Sequence, residues 1–80
     1  MLDRLAETIH KKLHAGALPR EEPLKLWANI GSGAACTACD EPILPSQTEY
    51  EGQYYDGRPP ILLHAKCRQM WEVQRNCDRA

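Results

Sequence analysis

One small α+β domain is what the sequence predicts, in the order N-terminal helix, cysteine-bearing turn, β-hairpin, C-terminal helix. Three observations carry this. Apolar residues recur at three- and four-residue steps near both ends, an alternating stretch with a turn dipeptide lies between them, and 80 residues are too few for two cores. Apolar types make up 42%, yet there is no Phe and there are six Pro, so the core is thin and a covalent or metal staple is expected.

The opening helix rests on Leu2, Leu5, Ile9 and Leu13, which fall on one face, while Arg4, Glu7, Lys11 and Lys12 take the others. Gly16 is its expected stop, and Pro19 and Pro23 prevent its continuation; Glu21 and Glu22 mark a solvated turn. Leu24, Leu26 and Trp27 are expected to dock back on the domain. Gly31-Ser32-Gly33-Ala34 reads as a flexible joint, which divides the chain into an arm, 1–33, and a cysteine-bearing module, 34–80. Between Ser46 and Leu63, Thr48, Tyr50 and Tyr54 share one parity and Glu49, Glu51, Gln53 and Tyr55 the other. Asp56-Gly57 supplies a turn, Ile61-Leu62-Leu63 the return strand, and Pro59-Pro60 stand at its entrance because proline cannot donate to a ladder. From His64 onward, Cys67, Met70, Trp71, Gln74 and Cys77 follow a helical period.

The staple must come from Cys36, Cys39, Cys67 and Cys77. Residues 1–12 interleave charge with apolar side chains and contain no run resembling a secretory signal or a membrane span, so a cytoplasmic protein is expected. In that reducing compartment regularly spaced thiols bind metal or do redox work more often than they form bridges. Cys36-Thr37-Ala38-Cys39 and His64-Ala65-Lys66-Cys67 are a C-x2-C and an H-x2-C separated by 24 residues. Together they offer three thiolates and one imidazole, the donor set of one tetrahedral Zn2+. Two intervening residues let a tight turn aim both sulfurs at one point and place His64 and Cys67 on the first turn of a helix, while the hairpin brings the pairs together. The competing reading, a redox pair at Cys36 and Cys39, needs a helix to follow, and Pro42 and Pro45 argue against one. Cys77 lies about 15 Å beyond Cys67 along a continuous helix, too far to join the set, and is read as a free thiol.

Four protein ligands close the coordination sphere, so the expected zinc is structural, and no catalytic residue is assigned. Other motifs add none. His10 and His14 are spaced as in a metalloprotease helix, but Lys11 stands where the essential Glu would be, and the pair reads as a solvated face. His64 lacks the Glu of the zinc deaminases, and Gly31-Ser32-Gly33 is too short for a phosphate loop.

From Ala35 to about Arg75 the ligand spacing, the hairpin between the pairs and the helix bearing the second pair resemble a treble-clef zinc domain, in particular the first half of a LIM domain. That resemblance implies a zinc knuckle at Cys36 and Cys39, with Cys36, Cys39, His64 and Cys67 as the ligands. Two positions depart from it. Met70 stands where a LIM domain opens its second zinc module, and Asp40 follows the second knuckle cysteine where Gly is frequent; Asp tolerates a left-handed backbone better than most residues. Lys25 to Gly33, followed by the cysteine pair, Pro42-Ile43 and His64-x2-Cys67-x3-Trp71, also looks like small uncharacterised bacterial proteins with a single zinc module.

The resemblance implies a noncatalytic module that recognises another macromolecule, a protein by preference and in a regulatory role among others. The apolar stripe of the opening helix is either the docking surface or a layer of the core against Trp27 and Trp71. Nucleic-acid binding is the first alternative, resting on Lys66, Arg68, Arg75 and Arg79; it is not favoured, because the formal charge is −1 and five carboxylates lie between Asp40 and Asp56. A sensor that releases zinc on thiol oxidation is the second. Nothing in the sequence calls for a membrane.

Overall fold

The computed structural model describes residues 4–54 and 57–78, excepting the side chains of the last two. Leu2, Tyr55, Asp56, Arg79 and the Cys77 thiol, all used in the sequence reading, lie outside what is described. Helix α1 spans Arg4–Ala15, strand β1 Lys25–Ile30, β2 Thr48–Gln53, β3 Ile61–His64 and helix α2 Ala65–Asp78. The strands form one antiparallel sheet in the order β1-β2-β3. No described helix is long and apolar enough to cross a membrane.

The end of α1 follows from its sequence. Gly16 takes φ +80°, its N–H donates to Leu13 O, and the N–H of Ala17 donates to Lys12 O at 2.9 Å. This is the paired-bond stop that glycine permits, and it turns the buried Leu18 back onto the helix. Ile9 and Leu13 are fully buried, Leu5 packs beside them, and α1 lies against α2. The stripe weighed as a docking surface is therefore core over its described part. Trp71 of α2 completes this layer; it is fully buried and its Nε1–H donates to Pro19 O at 2.9 Å. Trp27, the other expected partner, is 38% exposed.

Strand β1 was not foreseen. Leu26, Ala28 and Ile30 alternate with Lys25, Trp27 and Asn29, and the six residues pair with β2 from Lys25↔Gln53 to Ile30↔Thr48. Of the three residues expected to dock, only Leu26 is half-buried; Leu24 and Trp27 stay exposed. The Gly31–Ala34 stretch is hydrogen-bonded, not free: Ser32 donates from N and Oγ to the buried Glu49 carboxylate, Gly33 N to Ile43 O, and Ile43 N to Ala34 O. Gly31 is buried so closely that a Cβ there would meet the carbonyl oxygens of Leu44 and Ile43. Segment 4–33 and segment 34–78 are thus in contact through α1 on α2 and β1 on β2.

The hairpin forms where expected, with Tyr50↔Leu63 and Gly52↔Ile61 facing the core and Gly57 at φ +78° in its connection. β3 is covered on its outer side by the cysteine turn: Thr37 N donates to Leu62 O at 2.7 Å, and Leu62 N to Thr37 Oγ1 at 3.1 Å. One edge of the sheet is therefore closed by the segment that carries Cys36 and Cys39.

Candidate metal centre

Three elements supply four donors. Cys36 and Cys39 sit on a turn closed by Asp40 N donating to Cys36 O and Cys36 N to Glu41 O, with a bridge between Ala35 and Pro42 behind it. Asp40 makes the turn possible by taking φ +68°, the left-handed conformation expected of it. His64 is the last residue of β3, not part of the helix as the spacing suggested, and Cys67 is in the first turn of α2. Strand end and helix start point the same way because β3 runs directly into α2.

The Sγ atoms of Cys36, Cys39 and Cys67 and a ring nitrogen of His64 lie within 4.8 Å of one another, the only such group of three or more ligating side chains among the described residues. His64 Nδ1 is 3.4 Å from Cys39 Sγ and 3.8 Å from Cys67 Sγ. For a tetrahedral ion with bonds of about 2.3 Å to sulfur and 2.0 Å to nitrogen, neighbouring donors stand roughly 3.8 Å apart for S···S and 3.5 Å for N···S. The two N···S spacings lie on either side of that value, and the group could hold one metal ion.

The histidine is oriented for this. Its Nε2 is 3.1 Å from Pro42 O, and a carbonyl oxygen only accepts, so Nε2 carries the proton and Nδ1 keeps its lone pair toward the sulfurs. Cys36 and Cys67 are buried, and none of the three described cysteines is in a disulfide. Three sulfurs this close cannot all be thiolates without a cation. A hydrogen bond from the Cys67 thiol pulls the Cys36 pKa well below the usual thiol range, helped by backbone hydrogen bonds at Cys39, His64 and Ala38 and opposed by burial. The Cys67 pKa is pushed up by that same bond and then by burial, and the Cys39 pKa first by burial. A divalent ion would resolve this by drawing all three toward thiolate.

The sequence also hid a support. Lys12, assigned to a solvated face of α1, donates from Nζ to Thr37 O at 2.9 Å and to both Asp40 carboxylate oxygens at 2.9 Å, holding the cysteine turn against the helix. His10 and His14, with ring centroids 4.4 Å apart, are exposed on the same helix and have no third ligating side chain among the described residues. No protein-family model, curated protein or solved structure matches this chain.

Proposed function

We propose that Cys36, Cys39, His64 and Cys67 bind one structural Zn2+ and that the chain is a noncatalytic, treble-clef module resembling the first half of a LIM domain, working in the cytoplasm as a protein-recognition domain. The observation that carries this is the closed donor set. Four protein ligands converge, the histidine is locked by Pro42 O, and two of the sulfurs are buried, so no position is left for a substrate or a reactive water. The order of cysteine turn, hairpin and ligand-bearing helix supports the treble-clef reading.

Protein recognition is supported by the placement of apolar side chains at the far edge of the sheet from the metal. Leu24, Trp27, Ile30 and Leu44 are exposed there or beside it, Ile30 at 77%. Two of the cations of α2 that would favour nucleic acid, Arg68 and Arg75, are engaged. Arg68 bonds Glu72 at 3.3 Å and lies over the Tyr50 ring, and Arg75 is buried over Trp71. Loss of zinc on oxidation is chemistry open to any such thiolate site and adds no partner.

Native mass spectrometry of the purified protein tests the metal assignment. One Zn2+ is expected in the wild type and in Cys77→Ser, and none in Cys36→Ser. Substituted Co2+ should give a tetrahedral thiolate spectrum that added cyanide leaves unchanged. A protein two hydrogens light without metal, or a cobalt spectrum that shifts with cyanide, would overturn the structural-zinc reading.

A further inference from the structure

Among the described residues the outer edge of β1 has no partner strand, and the hydrogen-bond parity defines which groups it presents. Gly31 N donates to Gln47 O at 2.9 Å, continuing the register that pairs Lys25, Trp27 and Asn29 with Gln53, Glu51 and Glu49. In an antiparallel ladder alternate residues turn their backbone groups to the same neighbour. The N–H and C=O of Lys25, Trp27 and Asn29 therefore face β2, and those of Leu26, Ala28 and Ile30 face outward. Among the described residues no strand pairs with them. Turning the Asn29 amide so that its nitrogen donates to Ala28 O (3.2 Å) and its oxygen accepts from Trp27 Nε1 (3.3 Å) gives a local cap, which an incoming N–H would replace.

Sheet edges in soluble domains are normally blunted by charge, proline, a bulge or a covering segment. β3 has the cysteine turn as its cover. β1 has its protection only at the start, where Pro23 precedes it and Leu24 N and the register partner Lys25 both address Gln53. From Leu26 to Ile30 there is no charge and no proline, and Trp27 and Ile30 are exposed.

We infer that this edge pairs with β1 of a second copy, antiparallel about a two-fold axis at Ala28, joining two three-stranded sheets into one of six strands. The inference rests on the protein-recognition reading and names its partner. Ala28 is the midpoint of the outward-facing set, so a two-fold there places Ala28 opposite Ala28 of the second copy and Leu26 opposite Ile30, giving apolar pairs around a small central residue. On the other face Trp27 meets Asn29 and Lys25 meets Gly31, so the strand's single charge never opposes itself. The strand is complementary to its own reverse, which is the requirement of an isologous contact.

The parity also selects the test. Ala28→Pro removes an outward N–H that the β1–β2 ladder does not use, a position where an edge strand accepts proline. Ile30→Lys replaces the apolar partner of Leu26 in the paired ladder with a charge, on a side chain already exposed. Sedimentation equilibrium of the zinc-loaded full chain is expected to show a dimer at 100 µM or below, with the dissociation constant raised at least tenfold in each variant. Zinc content and circular dichroism should be unchanged. A wild type that is monomeric at 100 µM with zinc bound, or variants that dimerise as the wild type does, would overturn the pairing and leave the zinc module standing. Absence of zinc in the same samples would instead overturn the reading on which the pairing rests.

Discussion

Lys12 and Asp40, 28 residues apart, are joined by an ammonium that lies 2.9 Å from both carboxylate oxygens and equally close to the carbonyl of Thr37. The contact matters less as an ion pair than as a splint. Asp40 is 76% exposed, so the charge attraction is screened, whereas the bond to Thr37 O is shielded and fixes the cysteine turn to α1.

Lys12→Met keeps the stem of the side chain and removes the splint. It is expected to cost about 1 kcal/mol in urea denaturation and to speed metal transfer to a competing chelator. At the other end, Asp40→Gly should be tolerated better than Asp40→Ala by about 1 kcal/mol, because both lose the ion pair but only alanine is strained at φ +68°. Equal stability of the two Asp40 variants would show that the left-handed turn is not held in solution.

The bond from His64 Nε2–H to Pro42 O predicts which nitrogen takes the metal. Long-range 1H–15N spectra of the zinc-loaded protein should show His64 protonated at Nε2 and ligated through Nδ1. Ligation through Nε2 would contradict the orientation described. His64→Cys should retain one Zn2+, and His64→Ala should bind it at least tenfold more weakly.

Burial of Ile9 and Leu13 against α2 predicts that α1 is part of the folding unit. Ile9→Ala and Leu13→Ala should each destabilise by about 2–5 kcal/mol, the range for emptying a well-packed apolar site. A chain starting at Trp27 should lose its helical circular dichroism even with zinc present. A truncated chain that keeps a cooperative thermal transition would show that α1 is dispensable.

Gly31 and Gly33 stand two residues apart and should respond differently to alanine. At Gly31 the new Cβ meets the backbone oxygens of Leu44 and Ile43, which cannot rotate away, and a loss of about 3 kcal/mol is expected. At Gly33 the space is open and only φ +85° opposes the change, so roughly 1–2 kcal/mol should be lost. Thermal denaturation of both variants checks the order.

Much of the site was legible because its information is local. Two residues between donors bring Cys36 to Cys39 and His64 to Cys67, and the left-handed tolerance of Asp40 is a property of that residue alone. Both helices and the hairpin were readable from periods of 3.6 and 2. β1 carried a readable alternation too, Leu26, Ala28 and Ile30 against Lys25, Trp27 and Asn29, but six residues between prolines and glycines read equally well as an arm. The glycine stretch misled for a related reason: flexibility is the usual meaning of Gly-Ser-Gly, and here Gly31 is required by close backbone approach.

The sequence by itself determined the candidate donor set and the order of the two helices, the cysteine turn and the hairpin, since each depends on residue identity and short spacing. Only the tertiary structure decided that the stripe of α1 is core, that Lys12 braces the cysteine turn, that Pro42 O selects the histidine nitrogen, and that β1 closes one side of the sheet while leaving an edge open. The hydrogen bonds at Pro42, Lys12 and Trp71 join residues 22 to 52 positions apart in the chain, and β1 pairs with residues 18 to 28 positions away. No local pattern encodes them, because they exist only once the sheet has brought distant segments together.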